Sequence, residues 1–480
     1  MVKKILKKFV DNFIQKKIQN AQLFSQTFEH LKAIKSYQIA ILFERRPDQI
    51  RFYIYNIFFL LICVDPSELS IKKYKNYLKR YSKKLIYEKK IINFNFIQTN
   101  KKIKVGFICH FFSSPIAQNY FWNIFKGLNR DKFELFVFSD DHKILDNKIL
   151  KSKEWLDFTK ESYFYDTSKL LENDFVSFVK SKNLNILFEC NGHTHYSRFV
   201  EMSNRLANVQ CTSFNINGPS GFDFIDFFPI YKITETKKIK ELFTEKFIEY
   251  DGLSSPTKIE LYPTIITPIP YYKNNFITFG YFGALHKVSR LMFSFWCDIL
   301  NNVKNSRIYL KSSSFYNVDV KKKILAKFFQ KGISKDRIII EYDSQWLDYL
   351  NCYNKVDISF SPYPHTGGST FMDSLIMGVP LYNLHTDERF TTQFGKWILH
   401  KLNLEELIVN DLNSLKEKYL NLANSPDKII SYKIKLRNHI KKSTWFTENS
   451  AKNFEEFLMN LTKKTNEIYE PFIKRYSNSK

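Results

Sequence analysis

Four prolines, Pro256, Pro263, Pro268 and Pro270, crowd into residues 256–275, and strand-like and helix-like runs alternate on both sides of them. No other feature constrains the chain as much. Proline fixes φ and lacks a backbone donor, so a cluster of them interrupts regular structure. Before the cluster, Ile103–Ile108 reads as a strand, followed by a Ser/Pro turn and a helix from about Ala117 to Leu128. Phe133–Phe138, Ile186–Phe188 and Val209–Phe214 read as further strands. After it, strands at 277–282, 307–311, 338–340 and 358–360 alternate with helices at 291–301, 320–331 and 346–354. Alternation of this kind implies parallel sheets covered by helices on both faces. The fold class expected is α/β, with two Rossmann-like, doubly wound domains at 100–255 and 276–435 joined by a linker at 256–275.

The ends of the chain read differently. Residues 1–95 carry apolar positions at helical spacing (Phe24, Phe28, Leu31, Ile34, Tyr37, Ile41), with Pro47 and Pro66 between the helical runs. They suggest a helical region; paired helices of this size can be the remnant of a helical repeat array, although no clean repeated period is present. Residues 436–480 read as C-terminal helices.

Bulk properties exclude several function classes. With 480 residues and 44% hydrophobic content, the chain can bury more than one core. The net charge of +25 comes from lysines spread along the chain, so it predicts a solvated basic surface and no nucleic-acid partner. Six cysteines form no C-x-x-C pair and no zinc spacing, as expected of free thiols in a reducing compartment. The N-terminus lacks a signal-peptide core, and the apolar run Phe52–Val64 is too short to span a bilayer. A cytoplasmic protein without a transmembrane segment is expected.

Chemistry concentrates in the run Val356 to Pro380. A strand ends near Phe360, a Pro- and Gly-rich loop follows, and a helix begins near Ser369. Gly367 and Gly368 permit close backbone approach. Free amides at a helix N-terminus suit a diphosphate, and Ser369 and Thr370 add hydroxyl donors. Asp373, one turn into the helix, can reach a ribose diol. A glycine turn with Ser/Thr capping is the plain structural alternative. A second feature is the loop after the strand at 277–282, which carries Lys287, a cation able to neutralise a leaving diphosphate. His193 follows Asn191-Gly192 at a strand end. It reads either as a hydrogen-bonded turn residue or as a general base.

In this order, these features resemble the glycosyltransferase family of protein O-GlcNAc transferases, Spindly-type O-fucosyltransferases and bacterial adhesin N-glucosyltransferases, and bacterial members in particular. Segments carrying the likeness include Lys104-Val-Gly-Phe-Ile108, Asn191-Gly-His-Thr194, Asn204 to Gln210, Gly218 to Asp226, the Lys287 loop, and Gly367 to Asp373 with Met377-Gly-Val-Pro380. The resemblance implies a GT-B fold and inverting, metal-independent transfer without a cofactor. The donor would be a nucleotide sugar, UDP-GlcNAc or another UDP-hexose, and the acceptor a protein or peptide Ser/Thr or Asn. Lys287 would hold the diphosphate. Gly367, Gly368, Ser369 and Thr370 would present amides and hydroxyls. Asp373 would hold the ribose, Tyr349 would stack on the base, and His193 would serve the acceptor side.

Three positions depart from the family pattern. The loop His110 to Ile116 lacks the usual His at its matching place, Ala284 replaces a Gln, and Thr392 stands where relatives carry an Arg. These departures keep two other readings open: a transferase of the same fold acting on a glycan or small acceptor, and a nucleotide-sugar-binding protein without turnover.

Overall fold

The computed structural model describes residues 2–86, 102–110, 124–140 (except 126), 163–250 (except 195, 213–217, 233 and 235–236), 262–263, 269–443 (except 343–344) and 450–465. The chain forms two compact units. One comprises 1–73, 235–239 and 258–445; the other comprises 74–234, 240–257 and 446–480.

Four helices open the chain: α1 (Val2–Gln26), α2 (His30–Phe43), α3 (Pro47–Cys63) and α4 (Ile71–Leu85). Between α1 and α2 the chain reverses through Phe28, a non-glycine residue at φ 66°. A left-handed residue of this kind costs ~1–2 kcal/mol. Burial of the Phe28 ring, which stacks on Phe293 at 4.7 Å, contributes about 1.5–3 kcal/mol and offsets it. Pro47 starts α3 at a position where its missing N–H costs nothing. Among the described residues, no helix is long and apolar enough to cross a membrane.

The second unit holds seven parallel strands: β1 (Ile103–Ile108), β2 (Phe133–Ser139), β3 (Tyr163–Asp166), β4 (Leu184–Glu189), β5 (Ala207–Thr212), β6 (Phe227–Ile230) and β7 (Lys246–Glu249). Their order is β3-β2-β1-β4-β5-β6-β7. Every residue of β4 and β5 is buried, as expected of central strands covered on both faces. The sequence pattern misses β3, β6 and β7. Each is four residues long, β3 lies at the sheet edge with both ends exposed, and β6 contains Pro229. The helix expected from Ala117 lies largely outside the described residues, as do Ser213 and Phe214 at the end of the strand expected from Val209.

The first unit carries a four-stranded parallel sheet of β8 (Ile277–Phe282), β9 (Ser306–Lys311), β10 (Ile338–Glu341) and β11 (Ile358–Ser359), in the order β10-β9-β8-β11. A two-stranded pair, β12 (Asn383–Leu384) and β13 (Ile408–Val409), lies apart from it. Gly280 lets β8 and its neighbour approach closely: a Cβ there would sit 2.7 Å from the Val356 methyls. The segment expected to be irregular contains a short helix, Pro270–Asn274, again started by a proline at its first position. Pro256 and Pro268 lie outside the described residues. The helix expected over 346–354 ends at Asn351 and tightens into a 3-10 turn, Cys352–Lys355.

Candidate functional site

An open parallel sheet binds ligands where its strand order reverses, beyond the carboxyl ends of the two strands flanking the reversal. In the first unit these strands are β8 and β11. Both glycine-bearing segments singled out from sequence emerge there. Val288 and Pro364 form an antiparallel bridge between them, and Ser289 N donates to Tyr363 O at 3.2 Å. A Cβ on Gly283 would lie 3.8 Å from Thr370 Cγ2. Backbone pairing thus brings Lys287 beside the 367–370 run.

Lys287 ends a single 3-10 turn, Leu285–Lys287, which Tyr281 steadies by donating its hydroxyl to Ala284 O at 2.9 Å. Lys287 is half-buried as a residue, and burial of its ammonium lowers the pKa; the Cys63 thiol opposes that shift. No acidic side chain among the described residues acts on it. Two imidazoles share its surroundings. His286 is pushed down to about 3 and His365 well below its usual value, both by burial first and then by the Lys287 charge. His365 Nδ1 donates to Thr366 O at 2.9 Å. A cation with no acidic partner among the described residues, set among neutral imidazoles, suits an incoming anion.

The helix Ser369–Ile376 begins at Gly368, with no side chain capping it. Its first hydrogen bonds are Phe371 N and Met372 N to Gly368 O, at 3.2 and 3.3 Å. The amides of Ser369 and Thr370 donate to no carbonyl among the described residues, and both side chains are half-exposed. These are the orphan donors of a helix N-terminus, where anions are favoured. Gly367 cannot carry a side chain without displacing the Thr370 hydroxyl.

Asp373, one turn further, is 5% exposed, and its carboxyl is raised to about 7, by burial above all. Its Oδ1 accepts from the Tyr262 hydroxyl at 2.6 Å. Tyr349 is half-buried. Its hydroxyl lies 3.1 Å from that of Tyr353, which donates to Thr370 O at 3.1 Å. Thr392 is fully buried and its hydroxyl donates to Thr386 O at 2.7 Å, so it shapes a turn. Tyr262, His365 and Tyr353 were not singled out from sequence. Tyr262 sits inside the expected linker, and a tyrosine in so aromatic a chain carries no pattern of its own.

In the second unit the order reverses between β1 and β4. His110 follows β1, and its backbone N and Nδ1 both lie within 2.8 Å of Asn191 Oδ1. Its ring stacks on Tyr196 at 4.1 Å. His193 donates from Nε2 to Pro219 O at 3.0 Å, and burial holds its pKa down to about 4. Glu189, which the sequence reading passed over, is fully buried and raised to about 8, chiefly by burial. It accepts from Gly192 N at 2.8 Å and Arg198 N at 3.3 Å, and so closes the turn that carries His193. The site residues therefore divide: Lys287, Tyr349, Gly367 to Thr370 and Asp373 share the first unit, while His193 stands in the second.

Residues 263–454 match the model of Glycosyl transferase family 41. A rice protein, the probable UDP-N-acetylglucosamine–peptide N-acetylglucosaminyltransferase SPINDLY, is 26% identical over 375 residues, which cover 77% of this chain and 39% of that protein. The Arabidopsis thaliana protein SEC, with the same activity in its name, is 21% identical over 70% of this chain and 34% of its own length. The chain thus spans about two fifths of the length of these relatives. A mutant of the Thermobaculum terrenum O-GlcNAc transferase superposes with a TM-score of 0.80 at 15% identity, over 93% of this chain and 83% of that one. The likeness gives the fold as GT-B.

Proposed function

We propose, from the match of residues 263–454 to the model of Glycosyl transferase family 41 and the site above, that the chain is an inverting glycosyltransferase using a UDP-sugar, UDP-GlcNAc or another UDP-hexose. The observation that carries this reading is the pairing of Lys287, on which no acidic side chain among the described residues acts, with the amides of Ser369 and Thr370, which donate to no carbonyl among those residues. Together they supply positive charge where a leaving diphosphate gains negative charge. Such groups act most strongly where water is scarce. Asp373 accepts from the ribose hydroxyls once it is ionised, and Tyr349 lines the base. Lysine and helix amides supply what a divalent cation supplies in metal-dependent transferases, so the reading needs no metal and no cofactor.

In the proposed reaction an acceptor hydroxyl or amide on a protein or peptide attacks the anomeric carbon. The bond to the diphosphate oxygen breaks, the configuration inverts, and the acceptor proton passes to a base. A protein acceptor is supported by the activity named for the plant relatives. His193 belongs to the acceptor side of this scheme. With a pKa near 4 it is neutral and a weak base, and its Nε2 proton is committed to Pro219 O. The six buried thiols support a reducing, cytoplasmic setting.

The test is a thermal-shift screen of the whole chain with UDP, UDP-GlcNAc, UDP-Glc and GDP-Fuc. A ligand that binds only the native state raises its melting temperature. The reading expects stabilisation by UDP and at least one UDP-sugar, and slow UDP release from that sugar without acceptor. Stabilisation by no uridine nucleotide overturns it. Binding without release or transfer to any protein leaves a binding protein instead of an enzyme.

A further inference from the structure

The Lys287 turn is short, and its carbonyls need partners. Lys287 N takes Ala284 O, Val288 N takes Leu285 O, and Ser289 N turns away to Tyr363 O. The carbonyl of His286 remains, one of the orphans that every helical end leaves. It accepts from His30 Nε2 at 2.8 Å, a residue 256 positions earlier in the chain. A carbonyl only accepts, so the His30 proton sits on Nε2. His30 is 2% exposed, and burial lowers its pKa to about 4, so the donor is a neutral imidazole in one tautomer.

His30 does not stand alone. Phe28, Glu29 and His30 are consecutive, and each meets the same unit: Phe28 stacks on Phe293, Glu29 pairs with Lys327 at 3.2 Å, and His30 holds His286. From α3, the Phe59 ring meets His286 edge-on at 4.9 Å and lies 6.1 Å from His365. Cys63, at the end of α3, is close enough to Lys287 for the lysine to lower its thiol's pKa against the rise that burial causes.

We propose that His30, backed by Phe59, is a positioning residue for the donor diphosphate. By fixing the peptide that joins His286 to Lys287 it aims the lysine ammonium, which makes α2 and α3 part of the nucleotide site. The inference rests on the reading of Lys287 as the cation that meets the diphosphate.

The experiment is calorimetric titration of the full chain with UDP, on wild type, His30→Phe, His30→Gln, Lys287→Ala and the double variant His30→Phe/Lys287→Ala. Loss of one buried hydrogen bond that orients a charge weakens UDP binding by about tenfold in His30→Phe. His30→Gln, whose amide can reach the same carbonyl, keeps most of the affinity. The double variant binds no more weakly than Lys287→Ala, because His30 acts through the lysine. Wild-type affinity in His30→Phe, equal losses in the Phe and Gln variants, or additive losses in the double variant would overturn the inference. Should His30→Phe fail to fold, His30→Asn, whose amide stops short of the carbonyl, takes its place under the same criteria. Lys287→Ala that binds UDP like wild type defeats the donor-site reading itself, an outcome separate from the others.

Discussion

The Tyr262 hydroxyl donates to Asp373 Oδ1 across 2.6 Å, so the proline-rich segment and the helix after the glycine run meet at one buried carboxyl. Burial raises that carboxyl to about 7, and the tyrosine bond pulls it only part of the way back.

A ribose diol donates to a carboxylate better than to a carboxylic acid, so Asp373 should make UDP binding depend on pH. The terminal phosphate of UDP titrates in the same range. The ratio of wild-type to Asp373→Asn affinity separates the two. That ratio should rise with pH by up to about tenfold per unit below pH ~7, then level off. Stability runs the other way. The folded pKa is above the unfolded one, so this group's contribution is full below about pH 4 and lost as pH rises through about 7. Asp373→Asn should therefore gain on wild type in melting temperature over that window. A flat affinity ratio would remove Asp373 from the nucleotide site.

Lys287→Ala should lower turnover by about 100- to 1000-fold with the fold intact, the usual consequence of losing one preorganised group that meets developing charge. Single-turnover assays of UDP release check it. Unchanged turnover in a protein with a wild-type melting temperature would mean that the lysine does not meet the developing charge.

His30 gives a stability signature of opposite sign. Its folded pKa, about 4, lies below the ordinary histidine value. Its contribution is therefore present above about pH 6.5 and lost as pH falls toward about 4. The melting temperature of His30→Gln relative to wild type should climb as pH is lowered through that window. A constant difference would show that His30 is not buried as a neutral donor.

His193→Ala should lower the melting temperature and leave UDP affinity unchanged, since the ring holds Pro219 O in the unit that lacks Lys287. With a pKa near 4, His193 should contribute no limb to the pH–rate profile between about pH 5.5 and 7.5. A limb near pH 6.5 that vanishes in His193→Ala would make it the general base.

All six cysteines are buried and unpaired with one another. Native protein should react negligibly with a thiol reagent, and the unfolded chain should release six equivalents without reductant. Fewer would reveal a disulfide.

The sequence by itself determined the periodic elements and the position of the glycine run. Strands β1, β2, β4, β5 and β8 to β11 declare themselves because short runs rich in apolar and β-branched residues, bounded by turn residues, suit a parallel sheet. The order of strands, short edge elements such as β3 and the proline-containing β6 do not, because what makes them strands is a neighbour supplying hydrogen bonds. Lys287 and Asp373 were legible as residue types next to glycines and a helix start. Their chemistry was not: the pKa near 7 of Asp373 and the lowered pKa of Lys287 arise from burial, and burial depends on residues distant in the chain. Tyr262, His30 and Phe59 carry no local pattern that marks them. Only tertiary structure decided that a tyrosine from the expected linker bonds Asp373, and that a histidine 256 positions upstream completes the His286 carbonyl. A buried polar group must find a partner wherever the fold brings one, and no periodicity in the sequence encodes which one that will be.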